Sequence, residues 1–475
     1  MQNKAVDCGP WSVDQKPWTM DYRLWTKNAH SQLPCAIKPS SVVRRPAMDY
    51  RLKAMDYSPT LKLTFARMIP EIKAFSNGIR LVYQYADSPV AHLGLILGAG
   101  TRDESQHEAG MAHFLEHMLF KGTKKRKPYH ILSRMEDVGG DLNAYTSKED
   151  TALHCSYLSE YTPRAMELLA DILFNSTFPE KEIKKEKQVI LDEIMSYEDS
   201  PQELIFDRFE EHLFAGHPLG HNILGQPDTI ANYTREDVLR FVQHHYRPDQ
   251  VVFSFVGKSS MAKISFLIEK YFGHWNSSGP APAKLKVNGY TTFNKVEERE
   301  TYQSHCLMGA RTFSAHDPRL PQMVLLNNIL GGPSLNSRLS LNIRERYGFA
   351  YSIDSYFHTY QDCGVFQVYL GTAPGSMDKS IRLVMNELKK LREQPLGHVQ
   401  LSRAKKQIMG QIALSMENYN GQMLSAGKSL LALNRVDTAE QMMDKIERVS
   451  AAQLLDLANE VFDASQMSTL IYKAK

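Results

Sequence analysis

Two histidines four residues apart with a glutamate between them, His113-Phe114-Leu115-Glu116-His117, are the residues of this chain best suited to do chemistry. On a helix, positions i and i+4 share one face about a turn apart, so both imidazoles can meet one metal ion. Glu116 follows His113 by three residues and points towards the same volume. A carboxylate there can hold a water beside the metal without binding the metal itself, and can take the proton of that water. A catalytic zinc ion has three protein ligands and one open position, so a third ligand must come from another element. Glu186 and Glu193 lie nearly two turns apart on one face of a helix predicted over 179–197. One of the two can bind the metal while the other orients a histidine. The spacing leaves open which does which. A His/His/carboxylate set also accommodates manganese or cobalt.

The elements that must position these groups are legible from periodicity. Residues 109–121, 129–138, 162–175 and 179–197 are apolar at helical spacing. Ile72–Phe75 and Ile79–Tyr83 read as strands around an Asn77-Gly78 turn, and 90–98 as a further strand. Strands and helices alternate without a strict βαβ rhythm, which predicts an α+β fold.

The 475 residues exceed one ordinary core and predict two domains. Residues 277–283, rich in Ser, Gly, Pro and Ala, mark the linker. The expected division is an extension over 1–60, a zinc-binding domain over 61–281 and a related domain over 282–475. The two halves look duplicated. Tyr246-Arg-Pro-Asp-Gln250 and Phe462-Asp-Ala-Ser-Gln466 each follow a predicted helix and precede a strand, and 95–102 resembles 306–312. Carrying that offset forward sets His113, Glu116 and His117 opposite Val324, Asn327 and Asn328. The helix is kept while its metal-binding groups are lost, which predicts one zinc ion per chain.

Composition narrows the partners. Residues 1–60 hold nine Lys/Arg and five Asp, leaving 47 of the 56 Lys/Arg and 48 of the 53 Asp/Glu elsewhere. The nearly neutral remainder asks for neither nucleic acid nor an anionic membrane. No apolar run reaches the 18 residues that suggest a membrane span. Five scattered cysteines without a CxxC pair fit a reducing compartment, and the N-terminus resembles neither a secretory signal nor a transit peptide. A cytoplasmic location is expected. The first 60 residues carry Met-Asp-Tyr-Arg-Leu twice and three tryptophans, but no apolar period, and predict a poorly ordered extension.

The motif and its surroundings together resemble a known family. His113–His117 continued by Met118-Leu-Phe-Lys-Gly-Thr123, Gly139-Gly-Asp-Leu-Asn-Ala-Tyr-Thr-Ser147, Glu186-Lys-Gln-Val-Ile-Leu-Asp-Glu193 and His217-Pro-Leu-Gly220 are similar to the inverted zinc motif and flanking segments of the pitrilysin, insulin-degrading enzyme and mitochondrial processing peptidase family. The resemblance spans about residues 65–475, so it includes both halves. It implies two homologous α+β domains, each a mixed sheet with helices against one face. It implies a zinc endopeptidase in the short two-domain form, with His113, His117 and Glu193 as metal ligands and Glu116 as general base. Glu186 then matches the accessory carboxylate of the reaction. It further implies that Leu142–Thr146 is an edge strand to which a substrate backbone adds, with Asn143 and Ala144 in contact. Arg344 and Tyr351 match an Arg/Tyr pair that binds substrate carbonyls, with Tyr351 donating to the oxyanion. The implied assembly is a homodimer acting on peptide substrates, with Arg344 and Tyr351 of one subunit serving the other's site. A rival reading, a non-catalytic peptide-binding or scaffold subunit, has to explain why no His or Glu of the motif is missing.

Overall fold

A computed structural model describes residues 69–276, 279 and 283–475. The expected extension over 1–60 and most of the expected linker over 277–283 lie outside the described residues.

The first half runs β1 (Glu71–Ala74), β2 (Arg80–Tyr85), β3 (Val90–Leu97), α1 (Met111–Met118), α2 (Pro128–Glu136), β4 (Asp141–Thr146), β5 (Thr151–Leu158), α3 (Thr162–Asn175), α4 (Glu180–Glu198), α5 (Pro201–Leu213), α6 (Pro227–Asn232), α7 (Arg235–His245), β6 (Val251–Gly257) and α8 (Met261–Phe272). The second half runs β7 (Asn294–Arg299), β8 (Ser304–Thr312), α9 (Leu320–Gly331), a π-helical turn over Ser340–Glu345, β9 (Ala350–Thr359), β10 (Gly364–Thr372), α10 (Met377–Glu393), α11 (His398–Ser415), α12 (Tyr419–Leu433), α13 (Ala439–Glu447), α14 (Ala451–Val461) and β11 (Ser468–Ala474).

The first sheet has the order β1-β2-β6-β3-β5-β4 and the second β7-β11-β8-β10-β9. Both are mixed: β2 with β6 and β11 with β7 are parallel, the other pairs antiparallel. The two sheets share a strand order over their common part, with β3 corresponding to β8, β5 to β10, β4 to β9 and β6 to β11. The fold is therefore α+β with two related sheets. The β1–β2 hairpin turns at Asn77-Gly78, where Gly78 takes φ +93, a left-handed value that glycine adopts without strain.

Strand alternation sorts side chains to two faces. Leu93, Leu95, Leu97, Leu153 and Cys155 face the helices of their own half and form the first core with Phe114, Leu168, Phe241 and Ile264. Ile96, Ala152 and Val256 face the other way. That second face is covered by α12, through Met423 and Leu424, although α12 belongs to the second half of the chain. The exchange is reciprocal, because α5 lays Ile205, Phe209 and Leu213 on Leu307, Val365 and Tyr369 of the second sheet. Each fully buried side chain of this size contributes about 1.5–3 kcal/mol, so each crossing helix ties one half firmly to the other. The helices of each half pack on one face of its sheet as expected, and the opposite face carries a helix from the other half. No described helix is long and apolar enough to cross a membrane.

Candidate metal centre

The helix α1 begins at Gly110, which sits at φ +97. Its first N–H groups need acceptors. Glu104, only 2% exposed, supplies them: its carboxylate accepts from the N–H of Gly110 at 2.9 Å and of Ala112 at 2.8 Å. Burial lifts this carboxyl well above its usual range, against the pull of those two donors. The Tyr233 hydroxyl donates to the Ala109 carbonyl at 2.7 Å. Phe114, Leu115 and Met118 are buried in the first core, which turns His113 and His117 towards α4.

On α4 the stripe Ile183, Glu186, Ile190 and Ile194 is buried, and Glu193 stands beside it, exposed. The two helices bring three donor atoms together. The Nε2 atoms of His113 and His117 each lie 3.9 Å from Glu193 Oε2, and one ligand atom from each residue falls within 4.8 Å of the others. Ligands at 2.0–2.1 Å around a tetrahedral zinc ion stand about 3.3 Å apart, so a small contraction would complete the triangle. Two imidazoles and one carboxylate are also the right donor chemistry, and the residues present fit the ion. The exposed Glu193 side leaves the centre open to solvent.

Glu186 has a different place. Its Oε2 sits 3.2 Å from His117 Nδ1, and its Oε1 is 2.7 Å from Lys121 Nζ. It therefore orients His117 from behind, while Glu193 faces the Nε2 atoms. In this arrangement Glu193 joins the donor triangle and Glu186 does not.

Electrostatics follow from burial and neighbours. Burial, with His117 adjacent, holds His113 down at about 3. Burial also disfavours the charged form of His117, but Glu186, Glu116 and Glu193 outweigh it and raise the group. Burial would raise Glu186, yet His117 and Lys121 bring it below the ordinary value. Burial raises Glu116, against hydrogen bonding to Thr146 and the charge of His117, and it raises Glu193. A base lifted in this way is better matched to accepting a proton near neutrality.

Among the described residues β4 pairs only with β5 and ends the sheet, so its outer backbone groups face no described strand. Asn143 and Ala144 lie on it, and the Asn143 amide donates to Asp141 at 2.7 Å. At its end, the Thr146 hydroxyl donates to the Ala112 carbonyl of α1 at 3.4 Å. The strand edge and Glu116 are thus joined through one residue. Arg344 and Tyr351 are elsewhere. Arg344 lies in the π-helical turn against Glu345, and Tyr351, 63% exposed, opens β9. Among the described contacts, neither touches the His113–Glu193 cluster.

The duplicated helix α9 carries Asn327 and Asn328, both buried, where the offset from the first half sets Glu116 and His117. Asn327 donates to the Ser355 carbonyl of β9 at 3.3 Å. The second half keeps the helix-to-edge-strand contact without metal-binding groups.

A mixed-sheet duplication carrying one histidine-pair helix and one carboxylate helix defines a class of zinc-site proteins. Residues 80–227 match the family model described as Insulinase (Peptidase family M16), and 232–408 match that of the peptidase M16 inactive domain. The chain is 33% identical to an uncharacterized zinc protease of Bacillus subtilis over 83% of its own length and 96% of that protein. It is 34% identical to an uncharacterized zinc protease of Rickettsia bellii, over 84% and 97%. Among solved structures, a protease from Helicobacter pylori superimposes with a TM-score of 0.79 at 22% identity, over 86% of this chain and 99% of that one. A peptidase M16 inactive domain protein from Pseudomonas fluorescens gives 0.80 at 21%, over 86% and 98%. The chain belongs to the insulinase family of peptidases, family M16.

Proposed function

We propose that this protein is a zinc-dependent endopeptidase acting on extended peptides or unfolded segments. The observation that carries the reading is the convergence of His113, His117 and Glu193 beside Glu116, next to the free edge of β4. His113, His117 and Glu193 hold one zinc ion per chain. When bound, zinc polarises a peptide carbonyl and acidifies water at its open position. A substrate backbone adds to β4 through main-chain hydrogen bonds, with Asn143 and Ala144 in contact. Glu116 takes the proton of the attacking water and returns it to the leaving nitrogen. Glu186 keeps His117 in the tautomer and orientation that expose Nε2. The zinc protease names of the Bacillus and Rickettsia relatives support the same chemistry.

We further propose a cytoplasmic homodimer in which Arg344 and Tyr351 of one subunit serve the zinc site of the other. Tyr351 donates to the oxyanion and Arg344 binds substrate carbonyls. Among the described contacts neither side chain touches its own subunit's cluster, and Tyr351 is exposed, which supports this arrangement. The buried thiols of Cys155, Cys306 and Cys363 fit a reducing compartment. Mixing Glu116→Gln chains with Tyr351→Phe chains tests the assembly. Each parent should be inactive and the mixture should recover part of the activity; an inactive mixture of verified mixed dimers contradicts the assignment.

A further inference from the structure

We infer that Lys428, on the crossing helix α12, is a positioning residue that sets the substrate-binding edge of β4. The inference rests on the peptidase reading above for what β4 binds. Lys428 is 5% exposed on a helix whose other inward side chains, Met423, Leu424 and Leu430, are apolar. Burying an ammonium group there is unfavourable unless it is paired, and an apolar residue would pack the site at no such cost. Two partners of the charge belong to the β4–β5 hairpin. Its Nζ lies 3.4 Å from Asp150 Oδ1 and 4.5 Å from the centre of the Tyr145 ring. Asp150 closes the hairpin turn, where Ser147 N–H donates to the Asp150 carbonyl at 2.8 Å and Asp150 N–H to the Ser147 hydroxyl at 3.1 Å. Tyr145 lies on β4 between Ala144 and Thr146, 5% exposed, on the face away from the zinc helix.

One cation from the second half therefore grips the strand and its turn together. On the opposite face the same strand is tied to α1 by Thr146. The edge that receives substrate is held between the two helices, one from each half of the chain. The close approach of α12 depends on its small neighbour: a Cβ at Gly427 would stand 2.3 Å from Ile96 Cδ1 and 3.0 Å from Ser254 Cβ. Register along a strand decides which backbone groups meet the substrate, so a loosened β4 weakens peptide binding while leaving the metal and Glu116 in place.

The test compares Lys428→Met, which keeps length and loses charge, with Lys428→Arg and Asp150→Asn. Lys428→Met should raise KM for a quenched unstructured peptide about tenfold with kcat nearly unchanged, as expected for loss of an interaction that positions substrate without touching the reaction. Zinc content should stay at the wild-type value. Lys428→Arg should restore most of the KM, and adding Asp150→Asn to Lys428→Met should add little. The same loss should appear as weaker peptide binding to Glu116→Gln chains and as faster hydrogen exchange confined to 141–150. A fall in Tm with unchanged KM and unchanged peptide affinity would overturn the inference, as would a defect that arginine does not rescue. Should the wild-type protein cleave nothing, the proposed function fails, while peptide affinity and hydrogen exchange still decide the role of Lys428.

Discussion

Replacing Glu186 isolates how the carboxylate behind the metal centre acts. Glu186→Ala removes the acceptor 3.2 Å from His117 Nδ1 and the partner of Lys121 at 2.7 Å. Glu186 is 4% exposed, so little water replaces it, and two donors are left facing each other. Loss of such an outer partner costs 10–100-fold in metal affinity. Here the upper end applies, about 100-fold or about 2.7 kcal/mol. Glu186→Gln keeps one carbonyl acceptor and should cost about tenfold. The pH dependence carries a second signature. Burial opposes the charge on His117, but Glu186 and the other carboxylates raise the group, so below its value the metal-free protein holds a proton that zinc must expel. Wild-type affinity should therefore fall as pH drops through the His117 value, by about tenfold per unit below it. His113, held at about 3 by burial, adds no such dependence near neutrality. Without Glu186 the His117 value falls, and the loss of affinity begins at lower pH. The gap between wild type and Glu186→Ala should thus narrow on acidification. Competition titrations of zinc against a chromophoric chelator across about pH 5.5 to 8 read both effects. Wild-type affinity in Glu186→Ala, or a gap constant with pH, would refute the reasoning.

Two further predictions concern what holds the site in place. Glu104→Ala strands two buried N–H groups at the start of α1. It should destabilise the protein by about 1–3 kcal/mol, seen as a lower Tm, with Glu104→Gln less affected because one acceptor remains; an unchanged Tm in Glu104→Ala would contradict the cap. Glu210 on α5 lies 3.0 Å from His358 and accepts from the Tyr360 hydroxyl at 3.0 Å, both in the second half. Burial would raise its carboxyl, but His358 and Tyr360 bring it down to about 2. Its folded value is depressed, so its contribution is full above the unfolded value of about 4.3 and disappears as pH falls towards 2, amounting to about 3 kcal/mol at neutrality. Urea unfolding of wild type and Glu210→Gln should differ above about pH 5 and converge on acidification; a difference that widens on acidification would reverse the sign.

Much of the site is legible in local pattern. Apolar spacing around His113 and along 179–197 locates α1 and α4, since both helices bury one continuous stripe. The same spacing sets Glu186 and Glu193 on one face but cannot divide their roles, because the division depends on how α4 rotates against α1. Glu104 escapes notice for a related reason. It is one of three acids in the loop before α1, with Asp103 and Glu108, and only the closed fold brings its oxygens to the helix start. The exchange of α5 and α12 is also hidden. Their amphipathic patterns announce a buried face without saying which sheet covers it, and Lys428 reads locally as one more helix lysine. The π-helical turn at Ser340–Glu345 has no periodic signature at all.

The central claim is that Glu116 moves the proton in a zinc-dependent peptide hydrolysis. The most direct measurement is digestion of an unstructured peptide library by wild type and by Glu116→Gln, each with its zinc content determined, with and without chelator. The account predicts cleavage by wild type that chelation abolishes and zinc restores, and a Glu116→Gln chain that keeps its zinc but cleaves about 10²–10⁴-fold more slowly. Cleavage by zinc-loaded Glu116→Gln at the wild-type rate, or cleavage indifferent to chelation, would contradict it.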